Sequence, residues 1–212
     1  MSSTSRSRKT DRGAILRGAL VCSLVAAGSA LEPVQAQGTS PRAAASTALL
    51  ASMTAAPHIT RYVADARLAG EGKLTWLGFH VYDARLFAAP RFDVADPYTQ
   101  AFVLELTYAR KLEGKSIAEA SRDEIQRLGF GDEARRARWL AAMEKLFPDV
   151  DKGRRIAGVN QPGVGARFYV DGSFVGSIDE PDFARAFFAI WLDPRTRAPR
   201  LRESLLKPGG SA

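Results

Sequence analysis

Cysteine and histidine are the scarcest chemically useful residues in this 212-residue chain: one cysteine, Cys22, and two histidines, His58 and His80. A lone thiol excludes an intramolecular disulfide framework and a thiolate metal site. The two histidines have no ligand-type spacing to each other or to acidic residues, so a zinc site is not expected. No metal and no other cofactor is expected. Charge is not concentrated in one sign either. The chain has 30 basic and 23 acidic residues, a formal +7, and no basic stripe with interleaved aromatics, so nucleic acid is not an expected partner. The apolar stretch 18–31 spans 14 residues, short of the roughly 20 that a bilayer span needs.

What is present divides the chain. Residues 1–36 have the layout of a secretory signal: a basic region with Arg6, Arg8, Lys9, Arg12 and Arg17, the apolar stretch 18–31, and a small-x-Ala site at Val34-Gln35-Ala36. Cleavage near Ala36 would remove the cysteine and leave 25 basic against 21 acidic residues. The expectation is a secreted or periplasmic protein that meets a membrane only through this leader. Residues 37–58, rich in Ala, Ser and Thr, read as a flexible lead-in. Residues 59–207 are long enough for one domain, followed by a short tail, 208–212. No internal repeat is visible, and the oligomeric state is not set by the sequence.

Within the domain, residues 61–69 alternate loosely as a strand, and Gly70 and Gly72 mark a turn or bulge. Residues 75–86 read as one long, nearly fully buried strand, rich in aromatic and β-branched residues. Residues 101–110 alternate cleanly, with Phe102, Leu104, Leu106 and Tyr108 on one face and Glu105 and Thr107 on the other. Ser116 and Glu119 form a capping box for a helix that Gly129 ends. Asp132 caps a second helix carrying Trp139, Leu140, Met143, Leu146 and Phe147 until Pro148 stops it. Two strands joined by Asp171-Gly172 suggest a tight hairpin. Pro181 opens a helix with Phe183, Phe187, Ile190 and Trp191 on one stripe, and a short basic helix closes the domain. Strands and helices are segregated along the chain, which predicts an α+β fold.

Three segments resemble the secreted bacterial branch of the chalcone isomerase-like family. They are the glycine-flanked strand ending in Val81-Tyr82, residues 101–121, and residues 168–202 with the motif I-W-L-D-P-R-T. The resemblance implies an open-faced β-sandwich, a large antiparallel sheet packed by a layer of helices with a cleft between them. It also implies a catalytic arginine in a G-x-G-x-R opening, and in this chain that slot holds Leu74.

Function divides on that residue. Leu74 cannot steady a phenolate, so the leading expectation is a non-catalytic binder of a small hydrophobic molecule such as a fatty acid. Leu74, Trp76, His80, Tyr82 and Tyr108 would line its cleft, with Arg110 and Lys111 as candidate contacts for a carboxylate. The alternative is a divergent chalcone isomerase-type intramolecular lyase that uses Lys73, Arg67 or His80 in place of the missing cation. A third possibility is an accessory protein whose cleft is filled by its own side chains. For every one of these residues packing or solvation is the competing role: tyrosines bury their rings, histidines sit satisfied in cores, and arginines line surfaces.

Overall fold

The computed structural model describes residues 56–207, so the expected leader, most of the expected lead-in and the tail lie outside the described residues. Its elements in chain order are α1 (Pro57–Thr60), β1 (Arg67–Trp76), β2 (Phe79–Ala88), β3 (Phe102–Tyr108), α2 (Gly114–Leu128), α3 (Glu133–Leu146), β4 (Arg155–Gln161), β5 (Gly165–Val170), β6 (Ser173–Ile178), α4 (Pro181–Leu192) and α5 (Pro199–Leu205). The six strands form one antiparallel sheet in simple sequence order. Such a meander leaves each strand beside its chain neighbour, and the helices are free to gather on one face.

Alternation along each strand decides what that face contains. Ala84 and Leu86 of β2, Phe102 and Leu104 of β3, and Phe168 of β5 all point toward the helix layer. Helix α4 lies over their middle and is buried nearly all round, from Phe183 to Leu192. Its Phe188 meets Phe102 edge to face at 4.8 Å, and its Phe187 meets Phe168 at 5.2 Å. The opposite face carries Val103, Val159 and Tyr169, covered by Ile59 and Val63 from the α1 segment. Glu105 is buried there as well, with its carboxylate 3.7 Å from the His58 imidazole.

Local signals survive where nothing distant competes with them. The Asp132 carboxylate accepts the Arg135 amide at 2.7 Å, and Gly129 ends α2 at φ 84°. Asp171 and Gly172 turn at φ 48° and 84°, the positive angles that a tight hairpin requires.

Three expectations are corrected. Residues 75–86 are not one strand: Leu77 and Gly78, at φ 49° and 83°, fold this segment into the β1–β2 hairpin, with Trp76, Leu77 and Phe79 exposed at its tip. Strand β1 begins only at Arg67, because the chain before it turns to lay Val63 on the sheet. Helix α2 begins at Gly114 rather than at Ser116. The Asp149 carboxylate reaches across to accept the Gly114 amide at 2.9 Å, a tertiary cap where the sequence suggests a local box.

The glycines at the start of β1 seat α5. A Cβ on Gly70 would overlap the backbone carbonyl of Leu205, and one on Gly72 would lie 2.8 Å from the end of the Leu201 side chain. A methyl group cannot displace backbone, whereas a leucine terminus can swing away. Gly70→Ala is therefore expected at the top of the roughly 1–3 kcal/mol range for overpacking, and Gly72→Ala at its bottom. Urea denaturation checks the order, and equal costs would contradict close docking of α5 on β1.

Candidate functional site

The antiparallel register assembles one row of side chains across three strands. Leu74 of β1 stands opposite Tyr82 of β2, and Tyr82 stands opposite Tyr108 of β3. All three face the helix layer and belong to its core or pack against it. Helix α2 approaches α3 and α4 closely but makes no comparable approach to any strand, whereas α5 is seated on β1. Ala118 and Ile125 of α2 are buried in the same core as Leu104, Leu106 and Tyr108 of β3.

Tyr82 organises the row. Its ring meets Tyr108 edge to face at 5.9 Å, and its hydroxyl accepts a 2.9 Å hydrogen bond from the Trp191 indole N–H. Having accepted, the hydroxyl keeps its own hydrogen to donate. Burial pushes the Tyr82 hydroxyl well above the ordinary value of 10. The Trp191 bond opposes that rise, and the nearby Glu124 carboxylate adds to it. Tyr108 rises by burial and by its proximity to Tyr82. Both phenols stay neutral at ordinary pH. Glu124 itself is held by Arg127 at 2.8 Å and Arg197 at 2.9 Å.

The cationic candidates lie elsewhere. Lys73 pairs in register with Asp83, so its side chain leaves on the face away from the helices. Arg67 stands opposite Ala88, six residues along β2 from Tyr82 and so roughly 20 Å away. His80 is exposed and binds the Asp83 carboxylate at 3.1 Å. Trp76 lies beyond the register shift after Leu74 and is 53% exposed. Arg110 and Lys111 follow the end of β3, where the Arg110 guanidinium sits over the Phe79 ring at 5.8 Å. The structure thus gathers Leu74, Tyr82 and Tyr108 in the interior, and Trp76, His80 and Arg110 around the hairpin tip.

Two residues that act on Tyr82 carry no functional signal in the sequence. Trp191 reads as one more member of an apolar helix stripe, and only the demand of a buried indole N–H for an acceptor hints at more. Glu124, paired with Arg127 and Arg197, belongs to no motif that marks it. Two open surface grooves, one at Val94, Arg202 and Leu206 and another at Lys145, Phe147 and Val175, lie away from the tyrosine row. Among the described residues, no three His, Cys, Asp or Glu side chains come together as a metal site requires.

Comparison with known proteins agrees with this architecture. A family model described as chalcone isomerase-like matches residues 54–207. The crystal structure of a fatty-acid binding protein from Arabidopsis thaliana matches with a TM-score of 0.54 at 16% identity, covering 68% of this chain and 87% of that one. At that identity the likeness is one of fold. No curated protein matches the chain in sequence.

The tyrosines yield a pH prediction. Tyr82 and Tyr108 are raised, and burial pushes Tyr98 and Tyr169 up to about 12. A phenol with a raised folded-state value costs nothing below pH 10, where it is neutral in both states. Above pH 10 the unfolded chain loses the proton first, so stability falls as pH rises, by about 1.4 kcal/mol per pH unit per fully suppressed tyrosine. Phenolate absorbance from these four tyrosines in the native protein should develop well above pH 10. Tyr82→Phe or Tyr108→Phe should flatten the alkaline loss of stability. A native titration centred at 10 for four tyrosines would contradict the burial described.

Proposed function

Because the chain belongs to the chalcone isomerase-like family yet carries Leu74 in the slot of that family's arginine, we propose a non-catalytic domain that binds a small hydrophobic ligand, a fatty acid or a similar carboxylate. The carrying observation is the Leu74–Tyr82–Tyr108 row, which offers an apolar side chain and neutral hydroxyl donors at the helix–sheet interface. A phenolate-stabilising mechanism needs a cation directed at the developing charge. Here Lys73 faces away, Arg67 is too distant, and His80 sits at the hairpin tip engaged with Asp83.

The same row suits a carboxylate-headed chain. Neutral phenols donate to a carboxylate without first losing a proton, and such charge-assisted bonds are the stronger kind. Large aromatic side chains pack around this row, so the aliphatic tail would enter by moving Leu74, which is only partly buried. The fold shared with the Arabidopsis fatty-acid binding protein supports the proposal. The basic region, apolar stretch and Val34-Gln35-Ala36 site support export of this domain to the periplasm or beyond.

Native mass spectrometry of gently purified protein tests the ligand. A long-chain fatty acid should bind one to one, and Tyr82→Phe and Tyr108→Phe should each weaken it roughly tenfold, the worth of a hydrogen bond to a charged group. Protein that never retains or binds lipid would sink the proposal. Cyclisation of chalcones by the wild type, abolished by Lys73→Ala, would replace it with the intramolecular lyase reading. Export has its own check: the mature protein should have the mass of residues 37–212, and a secreted chain that keeps residues 1–36 would contradict it.

A further inference from the structure

The β1–β2 hairpin ends in the most exposed large apolar residues among those described: Leu77 at 76%, Phe79 at 65% and Trp76 at 53%. The turn itself is unusual in composition. Leu77 holds φ 49°, a left-handed angle that costs an ordinary side chain about 1–2 kcal/mol. The β5–β6 hairpin of the same sheet has nearly identical turn angles, and there the first turn residue is Asp171. A polar residue thus suffices for this geometry, yet the β1–β2 turn points a leucine into solvent at the cost of backbone strain.

One cation lies on the apolar tip and two more lie close to it in sequence or register. The Arg110 guanidinium covers the Phe79 ring at 5.8 Å, Lys111 follows it, and Lys73 leaves the open face of β1 just before the tip. Among the described residues, none of these three forms an ion pair within 4.0 Å. The neighbouring carboxylate, Asp83, is bound to His80.

We infer that the hairpin tip is a docking element for an anionic lipid bilayer: Trp76, Leu77 and Phe79 enter the headgroup region, while Arg110, Lys111 and Lys73 meet lipid phosphates. Shape favours a bilayer over a protein. A narrow convex tip offers far less than the roughly 800 Å² per partner of a stable protein interface, whereas an interfacial element needs only about 5–10 Å of apolar depth. Tryptophan and phenylalanine belong at that depth, and flanking basic residues add attraction to anionic headgroups. This surface is separate from the leader and does not rest on the proposed ligand.

The tryptophans supply a readout that the leader cannot mimic. Trp139 and Trp191 are buried at 1% and 6% exposure, so Trp76 alone reports contact with lipid. The full chain, mixed with phosphatidylcholine vesicles containing phosphatidylglycerol, should show a blue shift of tryptophan emission and quenching by brominated lipid. Trp76→Phe should abolish the signal without abolishing sedimentation with vesicles. Replacing Arg110 and Lys111 together with serine should weaken the Trp76 response about 25-fold, fivefold for each charge, while leaving thermal unfolding unchanged. Vesicle binding with no change in Trp76 emission would assign it to another segment and overturn the inference. An equal Trp76 response to neutral vesicles would overturn the electrostatic part. A dimer dissociated by Leu77→Asp would show that the tip belongs to a second copy and not to lipid.

Discussion

Leu74 lies opposite Tyr82, and because side chains alternate along a strand, that pairing sends Leu74 into the helix-side interior and Lys73 out on the other face. The pairing depends on a bulge between Leu68 and Gly70, which adds one residue and resets which face each later residue takes. Shifting β1 by one residue would exchange leucine for lysine in the interior. The register is held on the helix side by Gly70 and Gly72, where α5 comes down onto the strand backbone. The chemistry available to this domain follows from that contact, because it decides whether a cation or a methyl group faces Tyr82.

A second register shift, between Leu74 and Thr75, ends the interior part of the hairpin. Before it, Leu74 joins the tyrosine row and the Trp191 indole. After it, Trp76, Leu77 and Phe79 stand in solvent beside Arg110. One continuous apolar stretch of sequence therefore serves two environments. Its inner part packs against neutral hydroxyls whose protons are held tightly by burial. Its outer part carries exposed aromatic area together with basic side chains.

The parts of this arrangement that sequence reveals are those decided locally. The Asp132 cap, the Gly129 stop and the Asp171-Gly172 turn each depend on residues within one turn of chain, and the clean alternation of β3 assigns Tyr108 to the core face. The β1–β2 turn was hidden because leucine is not a turn residue, so an apolar run with one glycine reads as a strand. The start of α2 was hidden because its cap, Asp149, lies 35 residues from Gly114. The Trp191–Tyr82 hydrogen bond spans 109 residues, and no periodicity encodes such a contact. Leu74 in the arginine slot was legible from the motif alone, but which face it takes required the register.

The proposed fatty acid would lie beside the Leu74–Tyr82–Tyr108 row on the helix side of the sheet. A crystal structure of the protein soaked with a long-chain fatty acid tests this most directly. The expected result is elongated density beside a displaced Leu74, with its polar end within hydrogen-bond distance of the Tyr82 or Tyr108 hydroxyl. Leu74 unmoved, with the fatty acid absent or confined to a surface groove, would contradict that placement.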